Sequence, residues 1–119
     1  MDYKTLILEI DERKIAALTL NRPDVHNAMS LEMIRELRQA VTDLNAKPEV
    51  RAVILTGAGK SFCAGADLRW MQKIAGQKRE DRIAEATELS EMLGELDQLN
   101  KPLIGRINGL SFGGAVGLI

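Results

Sequence analysis

Apolar residues at several places along the chain follow the pattern of β-strands. Two short apolar runs, residues 5–10 and 15–20, flank a charged turn at residues 11–14, which predicts a β-hairpin. Two further runs, residues 52–55 and 103–107, predict strands later in the chain. The first of these is apolar at every position, which is typical of a strand covered on both faces.

Between the strands, apolar residues recur every three or four positions, which is the period of an amphipathic α-helix. Ser30 is expected to cap the first helix, and Lys47-Pro48 ends it. A second long helix is predicted over residues 78–100, with a buried stripe of Ile83, Ala86, Leu89, Leu93, Leu96 and Leu99. Strands that alternate with helices predict an α/β fold with parallel strand pairing.

Composition and charge narrow the classes of function. The chain has 119 residues, enough for one domain, with 16 basic and 17 acidic side chains and no basic block, so neither a nucleic-acid partner nor an anionic membrane surface is expected. No run approaches the roughly 20 apolar residues of a membrane span. The start of the chain does not resemble a secretion signal, and its single cysteine fits a reducing compartment, so we expect a cytoplasmic protein.

The last residues, GGAVGLI, predict a glycine-rich turn that leads into a new apolar helix. Such a helix would have nothing in the chain to cover it. We therefore expect residues 1–119 to be the N-terminal part of a longer domain, truncated before its second half. The alternative is a small domain with an unusual end.

The segment TGAGKSFCAGAD at residues 56–67 has the appearance of a phosphate-binding loop. A Walker loop needs a glycine five residues before its Gly-Lys-Ser, and that position is Ile54, inside a predicted strand. A dinucleotide fingerprint needs a glycine where Phe62 stands. Both nucleotide-binding interpretations therefore fail, and residues 57–60 are interpreted as a turn that ends a strand.

The second half of this segment is better suited to holding a negative oxygen. The small residues 63–66 allow a close approach to the backbone, and Asp67 can cap a helix that continues through Trp70. Residues 108–115 offer a second glycine-rich turn between a strand and a helix start. Two backbone amides from separate turns, aimed at one point, form an oxyanion hole. The sequence does not show whether the turns converge.

Three groups of residues in this order resemble the enoyl-CoA hydratase/isomerase (crotonase) family. They are Leu20-Asn21-Arg22-Pro23 with Asn27-Ala28, the run 62–68, and Ile107-Asn108-Gly109 with Gly113-Gly114. The resemblance covers the whole chain but only about half of a typical member. It implies a spiral of ββα units, acyl-CoA thioester substrates, and assembly of the full-length protein as a homotrimer or a dimer of trimers.

The resemblance also implies which residues form the site. Ala64 and Gly114 would be catalytic, each donating a backbone N–H to the oxyanion. Coenzyme A and the acyl group would contact Val25, His26, Ala64, Gly65, Ala66, Asp67, Leu68, Gly114 and Gly117. Coenzyme A is then part of the substrate, and no separate cofactor is needed. No metal site is expected, because His26 and Cys63 lack nearby ligand-type residues.

The sequence departs from the family's two-glutamate hydratases at Gly117, where those enzymes carry their first catalytic glutamate. The second carboxylate would lie beyond Ile119, so the chain alone is expected to be inactive. Three hypotheses remain open. In the first, the parent protein is a hydratase that uses only the later carboxylate, as in a methylglutaconyl-CoA hydratase-like branch suggested by residues 67–71. In the second, it is a double-bond isomerase with one base. In the third, it is a non-catalytic CoA-binding or assembly module.

Overall fold

A computed structural model describes residues 3–113 of the chain. Its strands are β1 (Leu6–Ile10), β2 (Ile15–Leu20), β3 (Ala52–Gly57), β4 (Ser61–Cys63), β5 (Leu103–Gly105) and β6 (Leu110–Ser111). Its α-helices are α1 (Leu31–Asn45), α2 (Leu68–Ala75) and α3 (Arg79–Asp97), and a short 3-10 helix spans Pro23–Val25. The α/β class is therefore confirmed.

The main sheet has four strands in the order β1-β2-β3-β5. The β1–β2 pair is antiparallel, as the predicted hairpin requires, whereas β2–β3 and β3–β5 are parallel. In β3, Val53 and Leu55 are fully buried, but Ala52 and Ile54 are only half-buried. The prediction that this strand is covered on both faces is thus wrong for residues 3–113, where one face alone carries the core.

Helix α1 covers the buried face of the sheet. The Ser30 hydroxyl accepts a hydrogen bond from the Met33 amide at 3.1 Å, which confirms the predicted cap. Leu37 and Leu44 are almost completely removed from solvent, and they pack with β2 and β3 in one continuous hydrophobic core. This core provides the rigid base on which the connecting turns are held.

Helix α3 differs from its prediction in the residues that it buries. Met92 and Leu96 are its buried side chains, and Leu89 and Leu93 pack partly against the core. Ile83 is 54% exposed and Ala86 is exposed as well, so the first half of the expected stripe is not covered by residues 3–113. None of the helices in the described part of the chain has the length and hydropathy of a membrane span.

Two strands were not predicted, and they form a second, two-stranded parallel sheet. β4 and β6 pair through Ser61 with Leu110 and Cys63 with Ser111. The predicted strand over 103–107 is correspondingly shorter, because β5 ends at Gly105 and the chain then turns towards β6. This small sheet joins the two glycine-rich segments that the sequence singled out.

Candidate functional site

The Asn108-Gly109 turn is built directly against the turn that follows β3. The Asn108 side chain accepts a hydrogen bond from the Gly57 amide at 3.1 Å and donates one to the Gly59 carbonyl at 3.0 Å. A Cβ on Gly109 would lie 1.9 Å from the Lys60 carbonyl oxygen, so only glycine fits there. The two turns therefore begin side by side.

The contact between the two segments continues residue by residue through the small sheet. Beyond the β4–β6 pairing, the Phe112 amide donates a hydrogen bond to the Cys63 carbonyl at 3.1 Å. Further on, a Cβ on Gly113 would stand 4.0 Å from the Gly65 Cα. The structure thus brings the glycine-rich segments together up to Gly113. Gly114 and Gly117, for which site roles were predicted, lie outside the described residues.

The backbone of residues 65–67 is held as one strand of an isolated parallel bridge to Met29. The Met29 amide donates to the Gly65 carbonyl at 2.7 Å, and the Asp67 amide donates to the Met29 carbonyl at 2.9 Å. In an extended segment, the backbone groups of alternate residues point to opposite sides. The Ala66 N–H therefore points away from Met29, and it makes no hydrogen bond to any residue within 3–113.

The Ala64 amide, in contrast, is already bonded. This corrects the choice of Ala64 as an oxyanion donor that was made from the sequence. It donates a hydrogen bond to the His26 carbonyl at 2.9 Å. A backbone N–H satisfied in this way is not available to a substrate oxygen. The unpaired amide of this segment is two residues further along, at Ala66, immediately before the residue that caps α2.

Ala64 instead lines a cavity of about 120 Å³. His26, Ser61, Leu110 and Phe112 complete its walls. His26 has a left-handed backbone (φ 55°), and its Nδ1 lies 2.9 Å from the Ser61 hydroxyl. Leu110 and Phe112 are 59% and 56% exposed, so the wall formed by the second segment is apolar and open. The expected proximity of His26 to the segment that follows β4 is present.

Asp67 caps α2, as the sequence predicts. Its Oδ1 accepts hydrogen bonds from the Arg69 and Trp70 amides at 2.8 and 3.1 Å. Its Oδ2 lies 2.9 Å from the Arg22 guanidinium. Burial by itself raises the pKa of Asp67, but the hydrogen bonds from Arg22 and the Trp70 amide outweigh it and hold the pKa below its ordinary value. The carboxylate is therefore charged and fully engaged, which argues against a role as proton donor.

The remaining predicted residues take varied positions. Val25 ends the 3-10 helix and is half-buried, whereas Leu68 opens α2 and is 67% exposed. Gly65 is buried with φ 91°, a conformation that favours glycine.

Burial raises the pKa of the Cys63 thiol, whose sulfur contacts the Asn27 carbonyl, so Cys63 is a packing residue. Within residues 3–113, no group of three or more His, Cys, Asp or Glu side chains could hold a metal ion.

Two residues that support the site received no role from the sequence. Asn27 is fully buried, and its side-chain amide binds backbone groups on both sides of the turn after β3. Arg22 reaches Asp67, which is 45 residues away in the chain. Both residues stand in the motif that carries the family resemblance, and that motif was the one signal that marked them.

Comparison with known proteins shows the family to which the chain is related. Residues 11–119 match the model of a family described as enoyl-CoA hydratase/isomerase. The chain belongs to that family. A crotonyl-CoA hydratase from Syntrophomonas wolfei is 36% identical over 115 residues, which are 96% of this chain and 43% of that protein. A peroxisomal Delta(3,5)-Delta(2,4)-dienoyl-CoA isomerase from Arabidopsis thaliana is 34% identical over 128 residues, covering 98% of this chain and 46% of the relative.

A crystal structure of an enoyl-CoA hydratase from Shewanella pealeana has the same fold as this family member. It superimposes with a TM-score of 0.93 at 36% identity, over 98% of this chain and 44% of that one. The crotonase-like architecture is thereby confirmed for the N-terminal portion of the fold. The chain spans less than half the length of each of these relatives.

Proposed function

We propose that this chain is the thioester-binding, N-terminal part of an enzyme that hydrates 2-enoyl-CoA. The observation that carries the proposal is the Ala66 amide, which has no hydrogen-bond partner within residues 3–113 and directly follows Gly65, the residue that Gly113 approaches. Family membership supports an acyl-CoA substrate, since the family is described as enoyl-CoA hydratase/isomerase and one relative is named a crotonyl-CoA hydratase.

The proposed chemistry needs an oxyanion hole and little else from residues 1–119. Water adds its oxygen to C3 of the double bond, and C2 takes up a proton. Negative charge develops on the thioester oxygen on the way, and preorganised N–H donors stabilise it. We assign these donors to Ala66 and Gly114, with Ala66 replacing the Ala64 of the sequence prediction. The approach of Gly113 to Gly65 supports the second assignment.

Helix α2 begins at Leu68, directly after the segment that carries the Ala66 amide. The positive end of its dipole is already paired with the Asp67 carboxylate that caps it, so stabilisation of the oxyanion is assigned to the backbone donors. The cavity lined by His26, Ala64 and Phe112 lies beside this segment, and we assign it to the CoA side of the thioester. We propose Val25, Gly65 and Leu68 as further contacts of coenzyme A.

Asp67, the carboxylate that directly follows Ala66 in the sequence, is engaged by Arg22 and by the α2 amides, so it is not proposed as the general acid or base. We propose that a carboxylate outside this chain moves the proton, that residues 1–119 form the first part of a longer spiral domain, and that the chain alone is inactive. The trimeric assembly and cytoplasmic location expected above belong to this proposal for the complete protein.

Double-bond isomerisation is the second candidate function. Position 117 is a glycine, so this chain lacks the first of the two glutamates of the family's hydratases. One base is sufficient for moving a proton within an enoyl thioester, as isomerisation requires. The relative from Arabidopsis thaliana is named as an isomerase. Incubating the complete protein with crotonyl-CoA, methylglutaconyl-CoA and a 3-enoyl-CoA, and identifying the products, separates the hydratase, its methylglutaconyl-specific form and the isomerase. A protein that binds all three thioesters without turnover is a non-catalytic module.

The donor assignment is tested by removing one N–H at a time. In the complete protein, replacing Ala66 by lactic acid turns its amide into an ester and deletes only the N–H. We expect kcat to fall by about a hundredfold or more. The same replacement at Ala64 is the matched control, because it deletes the hydrogen bond to His26 and leaves the proposed donor intact. A large loss at Ala64 with none at Ala66 would reverse the assignment.

A further inference from the structure

Arg22 joins the two backbone segments that carry and support the Ala66 amide. Its Nη1 donates hydrogen bonds to the Ala28 carbonyl and to Oδ2 of Asp67, the latter at 2.9 Å. Ala28 directly precedes Met29, the bridge partner of Ala66, and Asp67 directly follows Ala66. One guanidinium therefore binds both strands of the bridge, at Ala28 beside Met29 and at Asp67 beside Ala66.

Arg22 is itself held in place by its own loop. Its amide donates to the Asn27 side chain at 2.7 Å, and its carbonyl accepts from the Asn27 amide at 2.8 Å. The side chains of Arg22 and Asp67 are 24% and 10% exposed. A charge-assisted pair between anchored, mostly buried groups fixes geometry, whereas an exposed pair fixes little.

We propose that Arg22 and Asp67 are positioning residues that set the direction of the Ala66 N–H. This inference rests on the function proposed above, since it gives that amide a catalytic task. Without the guanidinium, Oδ2 of Asp67 loses its cation and the Ala28 carbonyl loses its donor, while the α2 amides still hold Oδ1. Residues 66 and 67 are then held from the α2 side alone, so the direction of the Ala66 N–H shifts. Small displacements of a donor in an oxyanion hole have large effects on rate.

A purely structural role for the pair makes a different prediction. In that case, breaking the ion pair lowers the melting temperature, while the folded fraction keeps its kcat. A positioning role lowers kcat, leaves KM nearly unchanged, and weakens the polarisation of a bound thioester carbonyl. The two roles are therefore separated by kinetics and spectroscopy, with stability measured alongside.

The experiment uses the complete protein and a set of matched variants. Arg22→Met removes both side-chain hydrogen bonds, Arg22→Lys keeps the cation, and Asp67→Asn keeps an acceptor for the α2 amides while removing the charge. Arg13→Met is the control, because it breaks the exposed ion pair with Asp11, whose partners are 74% and 39% exposed. Each protein is assayed for hydration of crotonyl-CoA. The absorption band of bound 4-dimethylaminocinnamoyl-CoA reports polarisation of its carbonyl.

We expect Arg22→Met and Asp67→Asn to lower kcat by roughly tenfold to a hundredfold with KM changed less than about threefold. Their bound probe should absorb nearer to its position in water. Arg22→Lys should recover part of both losses, and Arg13→Met should match the unchanged protein. If Arg22→Met is insoluble, Asp67→Asn and Arg22→Lys decide by the same criteria.

Two failures are distinguishable. If the unchanged protein neither turns over enoyl-CoA nor shifts the probe band, the proposed function fails. If the unchanged protein does both, and the Arg22 and Asp67 variants keep its kcat and band position, the positioning role alone is overturned.

Discussion

Replacement of Asn27 should destabilise this fold strongly. Its side chain is fully buried and contacts backbone groups on three segments. Its Oδ1 accepts the Arg22 amide at 2.7 Å. Its Nδ2 lies 2.9, 3.0 and 3.2 Å from the carbonyl oxygens of Ala58, Ser61 and Phe62. Asn27 therefore joins the loop after β2 to the turn between β3 and β4.

The cost of Asn27→Ala follows from these contacts and from the backbone. Nδ2 has two hydrogens for its three acceptors, so the substitution removes about three full hydrogen bonds, each contributing about 1 kcal/mol, and leaves buried groups unsatisfied. Residue 27 also has φ 57°, a left-handed conformation that costs alanine about 1–2 kcal/mol. We expect the free energy of unfolding to fall by about 4–5 kcal/mol in total.

Two further substitutions separate these contributions. Asn27→Gly removes the side chain without the left-handed penalty, so it should be less damaging than Asn27→Ala by about 1 kcal/mol. Asn27→Asp keeps the shape and the acceptor but points an oxygen at three carbonyls, so it should be at least as damaging as alanine. Denaturant unfolding followed by the fluorescence of Trp70, the single tryptophan of the sequence, measures all three. An aspartate variant within about 1 kcal/mol of the unchanged protein would refute the assigned hydrogen bonds.

Three other predictions concern the glycine turns and the buried ion pair. Gly114→Pro in the complete protein removes the second proposed donor and should lower kcat by about a hundredfold; a folded variant with unchanged rate in the crotonyl-CoA assay would exclude that donor. Gly109→Ala places a Cβ 1.9 Å from the Lys60 carbonyl oxygen and should prevent stable folding, seen as loss of a cooperative melt, so an unchanged melting temperature would contradict the close approach. Because the folded pKa of Asp67 lies below its ordinary 3.8, its contribution to stability is present above that pH and is lost as the pH falls through the folded value. Unfolding measured from pH 6 down to about pH 2 should therefore show a steeper loss for the unchanged protein than for Asp67→Asn, and parallel curves would disprove this.

The elements that the sequence predicted well are those with strong local signals. The hairpin and α1 follow from periodicity, a charged turn and the Ser30 cap, all of which act over a few residues. Strands β4 and β6 have three and two residues, too few for any period to appear. They exist because Ser61 and Leu110 meet across the fold, and a contact of that sequence separation leaves no local pattern.

The sequence predicted the segment of the proposed site, and the hydrogen bonds of the structure change which of its amides we propose as a donor. Small residues followed by a helix cap mark residues 63–67, whereas the direction of each amide depends on its distant partner. The Ala64 amide is bonded to the His26 carbonyl. Met29 is bonded to Gly65 and Asp67, on the side of the segment from which the Ala66 N–H points away. The link from Arg22 to Asp67 is equally non-local, so the family motif points to both residues without revealing that they touch.

The most direct measurement of the central claim is a crystal structure of the complete protein with a bound, unreactive acyl-CoA thioester. We predict that the thioester oxygen lies about 2.7–3.1 Å from the backbone nitrogen of Ala66. The Ala64 nitrogen should keep its hydrogen bond to the His26 carbonyl in the same complex. A thioester oxygen bound elsewhere, with the Ala66 amide facing solvent or another backbone group, would contradict the account.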